Sequence, residues 1–168
     1  LATKGHRVLM GTRVIEKGTA SDQHPNIEVL ELDVTNSNKV AAAVSNVEEK
    51  YGYLDVLINN AGIGVGTKGA LDADFDEVKT IMETNFFGAW QLTQQFLPLL
   101  RKAKEGRVIN ISSGMGALDD LSGGYAGYRL SKSALNALTI LLANELSNTN
   151  IKVNAMCPGW VKTAMGGS

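Results

Sequence analysis

Tyr128 and Lys132 stand four residues apart in the run Tyr125-Ala126-Gly127-Tyr128-Arg129-Leu130-Ser131-Lys132. On a helix, positions i and i+4 lie one above the other on the same face. The lysine ammonium can then approach the tyrosine phenol, favour the phenolate and draw the phenol pKa down from its ordinary value of ~10. Such a tyrosine can exchange a proton near neutrality, which is what general acid–base catalysis requires. Tyr125 has Arg129 at the same offset, so spacing alone leaves two tyrosine–cation pairs. Choosing between them takes residues from elsewhere in the chain.

Three other stretches offer polar groups directly after short apolar runs. Leu57-Ile58 leads into Asn59-Asn60-Ala61-Gly62, Val108-Ile109-Asn110-Ile111 into Ser112-Ser113, and Lys152-Val153-Asn154-Ala155-Met156 into Cys157-Pro158-Gly159-Trp160-Val161-Lys162-Thr163. Small residues allow close backbone approach, and the asparagines, serines and Thr163 supply donors and acceptors. Each stretch has a plainer reading as a turn or a helix cap. Together with Tyr128 and Lys132 they define one crevice at the carboxyl ends of strands, where open α/β sheets bind ligands.

The elements that must position these residues are legible as a pattern. Strands are expected at residues 7–10, 27–32, 56–59, 107–111 and 152–156. Most are apolar throughout, which predicts strands covered on both faces. Helices are expected at 37–51, 74–101 and 128–146, the second long enough to bend near Asn85 or Gly88 and carrying Pro98 close to its end. Strands alternating with helices predict a parallel sheet wrapped by helices, in one domain spanning residues 1–168. The apolar residues of 86–100 and 133–146 exceed what one sheet face needs, so part of each helix is expected in a subunit interface.

Composition narrows the class of function. The 168 residues carry 16 basic and 17 acidic side chains, a formal net charge of −1, which argues against a broad nucleic-acid surface. No apolar run reaches the length of a membrane span, and no signal pattern is seen. Cys157 stands alone, and His6 and His24 lie far from the motifs, so no disulfide and no metal site is expected. A cytoplasmic protein is the simplest expectation.

The motifs taken together resemble those of the short-chain dehydrogenase/reductase family, most of all its carbonyl-reductase-like members. The matching stretches are Leu32-Asp33-Val34-Thr35, Asn59-Asn60-Ala61-Gly62, Thr84-Asn85-Phe86-Phe87-Gly88, Asn110-Ile111-Ser112-Ser113, Tyr128-x-x-x-Lys132 and Pro158-Gly159, in that order. The resemblance implies a Rossmann-like doubly wound parallel sheet, incomplete at both ends. It implies an NADP(H)-dependent oxidoreductase interconverting a carbonyl and a secondary alcohol. Tyr128 would be the proton donor or acceptor, and Lys132 would lower its pKa and hold the nicotinamide ribose. Ser113 would orient the carbonyl, and Asn85 would help hold a water linking Lys132 to solvent. Asp33 and Val34 would meet the adenine, and Asn60 the adenosine side. Pro158, Gly159, Val161 and Thr163 are expected to bind the cofactor, where a rigid Pro-Gly turn with exposed backbone and Thr163 could grip a carboxamide or a phosphate. Family members often pair through two long helices, so a homodimer or homotetramer is expected, with a small carbonyl or alcohol as the other partner and neither nucleic acid nor membrane.

Arg13, just after the run Leu9-Met10-Gly11-Thr12, favours a cofactor with a 2′-phosphate, because an arginine at this point of a dinucleotide fold accommodates that group and an acidic residue would bind the free hydroxyl. NADP(H) is therefore expected over NAD(H), which stays possible, and Lys17 offers a second charge. The family's first strand and glycine-rich pyrophosphate loop are not among these residues, and the substrate lid after Gly159 is cut short. A polypeptide longer at both ends is expected. Two other functions remain open on the sequence: a non-enzymatic binding or regulatory protein on the same fold, and a sugar-nucleotide epimerase or dehydratase.

Overall fold

A computed structural model describes residues 1–16, 18, 24–64 and 66–159. Its strands form two parallel sheets. β1 (Val8–Thr12) pairs with β2 (Ile27–Glu31), Val8 opposite Ile27. β3 (Val56–Asn59), β4 (Gly106–Ile111) and β5 (Ile151–Met156) pair in that order, with Leu57 opposite Val108 and Val108 opposite Val153. Parallel neighbours require crossover connections, and helical residues 75–102 and 126–145 provide them between β3 and β4 and between β4 and β5. The strands differ from the sequence expectation by one or two residues at their ends, the usual uncertainty of terminal residues.

Helix α1 (Ser37–Tyr51) begins where Asn36 accepts from the backbone N–H groups of Asn38 and Lys39, and it ends at Gly52 with φ 77°. Both are ordinary start and stop devices. The expected helix over 74–101 is present with an internal irregularity. Asp74 caps α2 (Phe75–Met82), a π-helical turn occupies Glu83–Phe87, and α3 (Gly88–Lys102) follows with Pro98 inside it. The bend expected near Asn85 or Gly88 is this turn. Helix α4 (Ala126–Glu145) starts two residues before Tyr128, from a left-handed Tyr125 at φ 52°, ψ 35°.

Burial along β3, β4 and β5 alternates. The buried row Leu57, Val108 and Val153 packs into one core with Val40 and Val47 of α1, Leu92, Phe96, Leu99 and Leu100 of α3, and Leu146 just after α4. A smaller cluster joins Ala89 of α3 to Leu135 and Leu138 of α4. The expectation of strands covered on both faces is corrected here: on the opposite face Val56, Ile58 and Met156 are exposed. The reason is that α1, α3 and α4 all contribute to the same core. Among the described residues, no helix is long and apolar enough to cross a membrane.

Candidate active site

Four elements deliver side chains to the carboxyl ends of β3 and β4. Lys132, on the second turn of α4, is only 5% exposed. Its ammonium donates to the carbonyl of Ile111 at the end of β4 at 2.8 Å and lies 5.6 Å from the centre of the Tyr128 ring. The i, i+4 relation therefore does bring the two together. Burial pulls the Lys132 pKa down from the ordinary lysine value to about 8, because a desolvated ammonium loses hydration that one carbonyl does not replace. An ammonium has three N–H donors, so a bound polar group at this point would be welcomed.

The π turn places Asn85. Its side chain, 1% exposed, clamps the chain after β3 from both sides. Oδ1 accepts from the Ile63 N–H at 2.8 Å and Nδ2 donates to the Ile63 carbonyl at 2.9 Å. Nδ2 also donates to the Ser131 hydroxyl at 3.0 Å, and that hydroxyl donates to the Tyr128 carbonyl at 2.7 Å. A π turn is often a functional irregularity, and here it turns an asparagine inward between β3 and α4. Gly62 fits the same corner: a Cβ there would stand 3.4 Å from Asn85 Oδ1 and 3.7 Å from the Lys132 ammonium.

The two serines after β4 differ. Ser112 is buried and donates to Asn136 Oδ1 at 2.6 Å. Ser113 is half-buried and its hydroxyl accepts from the Met115 N–H at 3.2 Å, capping a short 3-10 turn, Gly114–Gly116. The cap leaves the Ser113 hydroxyl proton able to point outward, whereas Ser112 is committed to the interior. Tyr128 is half-buried on α4 and Tyr125 is 47% exposed at its entrance. Of the two tyrosines, only Tyr128 has the buried lysine beside it.

The residues expected to meet a dinucleotide are spread along the strand ends. Arg13 is exposed immediately past β1. The Asp33 carboxyl is held below its usual range, mainly by the N–H and hydroxyl of Thr35, with Arg13 and Lys39 adding their charges. Val34 is buried; its carbonyl accepts from Gln91 and its side chain packs on Gly88, so its contact with a ligand is left to backbone. Asn60 is exposed after β3, and Pro158 and Gly159 are exposed after β5. Lys17, Val161 and Thr163 lie outside the described residues.

Sequence reasoning missed three participants. Ser131, a short hydroxyl beside Lys132 within a helix, was legible in principle as a side chain free to bond locally. The Ile111 carbonyl carries no sequence signal, since any residue has one. Asn59 carries the same asparagine signal as Asn60. It is 5% exposed and donates to Thr93 at 3.0 Å and to Asn110 at 2.7 Å, while Asn110 donates to Thr139. This network ties β3 and β4 to α3 and α4 below the site, with Asn59 Oδ1 left unpaired.

Comparison with known proteins fits this geometry. The family described as short chain dehydrogenase matches residues 1–168. A 3-ketodihydrosphingosine reductase of Bacteroides thetaiotaomicron is 39% identical over 160 residues, covering 95% of this chain and 56% of that protein. The NADPH-bound carbonyl reductase from chicken fatty liver superposes with a TM-score of 0.84 at 34% identity, covering 95% of this chain and 69% of that one. Carbonyl reductase Sniffer of D. melanogaster gives 0.86 at 32%, covering 97% and 73%. The chain spans about half the length of the curated relatives it matches. On the match over all of its residues, this chain belongs to the short-chain dehydrogenase family.

Proposed function

We propose that this chain carries the proton-transfer machinery of an NADP(H)-dependent oxidoreductase that interconverts a carbonyl and a secondary alcohol. The observation that supports it most is Lys132: a buried ammonium lying over the Tyr128 ring, with one carbonyl partner and Asn85 and Gly62 beside it. Its free N–H donors would hold hydroxyls of a ribose beside Tyr128. The nicotinamide cofactor supplies the hydride. Tyr128 gives a proton to the carbonyl oxygen during reduction and takes one from the alcohol during oxidation. Ser113 donates to the same oxygen and opposes the charge that develops there. Asn85 fixes the chain after β3 through Ile63 and, through Ser131, the backbone at Tyr128.

Arg13 and Asp33 bracket the adenosine end, with Arg13 as the partner of a 2′-phosphate. The chicken fatty liver enzyme, whose structure holds NADPH, supports that preference. For the whole protein this reading implies a small carbonyl or alcohol as substrate and a homo-oligomeric assembly.

The test is reduction of an activated 1,2-diketone such as 2,3-hexanedione by the full-length protein, followed by loss of NADPH absorbance. NADPH is expected to serve better than NADH, and Arg13→Glu is expected to reverse or erase that preference, since a carboxylate repels the 2′-phosphate. Equal weakening of both cofactors would remove Arg13 from the phosphate site. No turnover with either would sink the reading as a reductase.

A further inference from the structure

The segment between Ser113 and Tyr128 carries a device that the proposed chemistry does not use. Arg129, next to Tyr128, turns its guanidinium away from the lysine and into this segment. Nε donates to the Gly124 carbonyl at 3.2 Å. One terminal nitrogen donates to the Met115 carbonyl at 3.4 Å and to the Asp120 carbonyl at 3.2 Å. The other donates to the Ser122 hydroxyl at 2.6 Å. Four acceptors spread over ten residues converge on one side chain. No Asp or Glu carboxylate pairs with it among the described ion pairs, so its charge is spent on backbone and hydroxyl oxygens.

The two halves of the segment are anchored differently. Its first half is fastened to α4 at the Gly116 carbonyl, which accepts from Ser133 Oγ and Asn136 Nδ2. Its second half, residues 120–124, has Arg129 as its side-chain anchor. Beyond it, backbone bonds from Tyr125 to the Thr67 carbonyl and from Ala126 to the Lys68 carbonyl tie the start of α4 to the chain after β3. Leu118, Leu121 and Tyr125 are exposed along the same segment. The segment thus begins at the serine and ends at the tyrosine that would both touch a substrate carbonyl.

We propose that Arg129 is a positioning residue: it holds residues 115–124 in one shape and so sets the substrate-facing wall between Ser113 and Tyr128, without touching substrate itself. The proposal rests on the reductase reading above. Arginine suits the task because its planar fork reaches several acceptors in fixed directions, and a lysine ammonium on a flexible stem does not. Displacing a substrate-positioning wall by an ångström can cost a factor of about 100 in rate.

The experiment compares the full-length protein with Arg129→Gln and Arg129→Lys. It measures NADPH affinity by fluorescence, kcat and KM for 2,3-hexanedione, and amide hydrogen exchange over residues 115–125 with NADPH bound. Both variants are expected to bind NADPH as the parent does and to exchange faster over 120–125. Their kcat/KM for the diketone should fall by roughly tenfold or more, with Lys restoring only part. Faster exchange with unchanged kcat and KM would make Arg129 merely structural and overturn the proposal. Kinetic loss without faster exchange would overturn it too, because the effect would not pass through the segment. Should Arg129→Gln fail to fold, Arg129→Lys alone decides by the same readings. A parent protein that reduces no diketone fails the reductase reading and this role with it, whereas an active parent and unaffected variants fail Arg129 alone.

Discussion

Tyr128 and Tyr125 differ by three positions and by the buried Lys132 ammonium, which lies beside the ring of Tyr128 alone. Tyr128→Phe deletes the transferable proton with almost no change in packing, and reduction is expected to fall by about 10²–10⁴-fold. Tyr125 starts α4 with a left-handed backbone, and Tyr125→Phe, which leaves the Lys132 pairing intact, should be mild; equal losses in steady-state assays would mean that Tyr128 is not the proton donor. Lys132 makes a second test through pH. With its pKa lowered to about 8 in the folded state against 10.5 unfolded, it binds fewer protons folded than unfolded between those values. The cofactor-free protein should therefore gain stability as pH rises from about 8 toward 10.5, on the order of 3 kcal/mol over the whole window. Below pH 8 the desolvation cost is felt in full. Lys39 and Lys50 are shifted the other way by Glu31 and Glu28, so they oppose this trend only near the top of the window. Denaturant midpoints across pH should rise for the parent and stay flatter for Lys132→Met; parallel curves would mean Lys132 is not buried as described. The spacing of Tyr128 and Lys132 was readable in the sequence because four residues make one helical turn. The burial of Lys132 was not, since its ammonium meets Ile111 and lies near Gly62, 21 and 70 positions away.

Elements matter here for where they break regularity. The helical period over 74–101 showed a long helix, and Asn85 and Gly88 marked its weak point, yet nothing in the pattern specified a π turn. Its cause is tertiary: Asn85 reaches Ile63 and Ser131, and the extra residue in the turn lets it do so while α2 and α3 both keep their buried faces. Gly88 lies where this irregular helix crosses the chain after β2. A Cβ at Gly88 would meet Val34 Cγ2 at 2.7 Å and the Glu83 carbonyl at 3.2 Å. Gly88→Ala is thus expected to destabilise by about 1–3 kcal/mol, as overpacking does, and to weaken NADPH binding by displacing Val34. Gly114→Ala has open space around it and serves as the control. Urea unfolding at unchanged slope would measure both, and a Gly88→Ala protein as stable as its parent would show that α3 can shift without cost. The strands were equally half-legible. Their apolar runs were found within a residue or two, but uniform apolarity implied two covered faces. Covering is supplied by other segments, and α1, α3 and α4 supply it on one face.

At the scale of the whole molecule, the outer side of α4 is the unexplained surface. Leu135, Leu138 and Thr139 face inward and are buried, while Leu130, Ile140 and Leu141 are between 52% and 63% exposed. Leu130 and Leu141 are eleven residues apart, three helical turns, so they lie on one stripe with Ile140 at its border. Phe87, at the end of the π turn, and Trp90 of α3 are also exposed, with Phe86 packed against both rings. Large apolar side chains gathered along two neighbouring helices in this way mark an association surface more than a solvated one. A two-fold pairing of these helices would bring the same stripe from each subunit together, which is the self-complementary contact that closed dimers use. A homodimer, or a tetramer built from it, is expected at micromolar concentration. Leu141→Glu together with Ile140→Lys should shift sedimentation toward monomer without altering the interior, because both side chains already stand in solvent in the isolated chain. A clean monomer for the unmodified full-length protein would leave this stripe without a partner of its own kind.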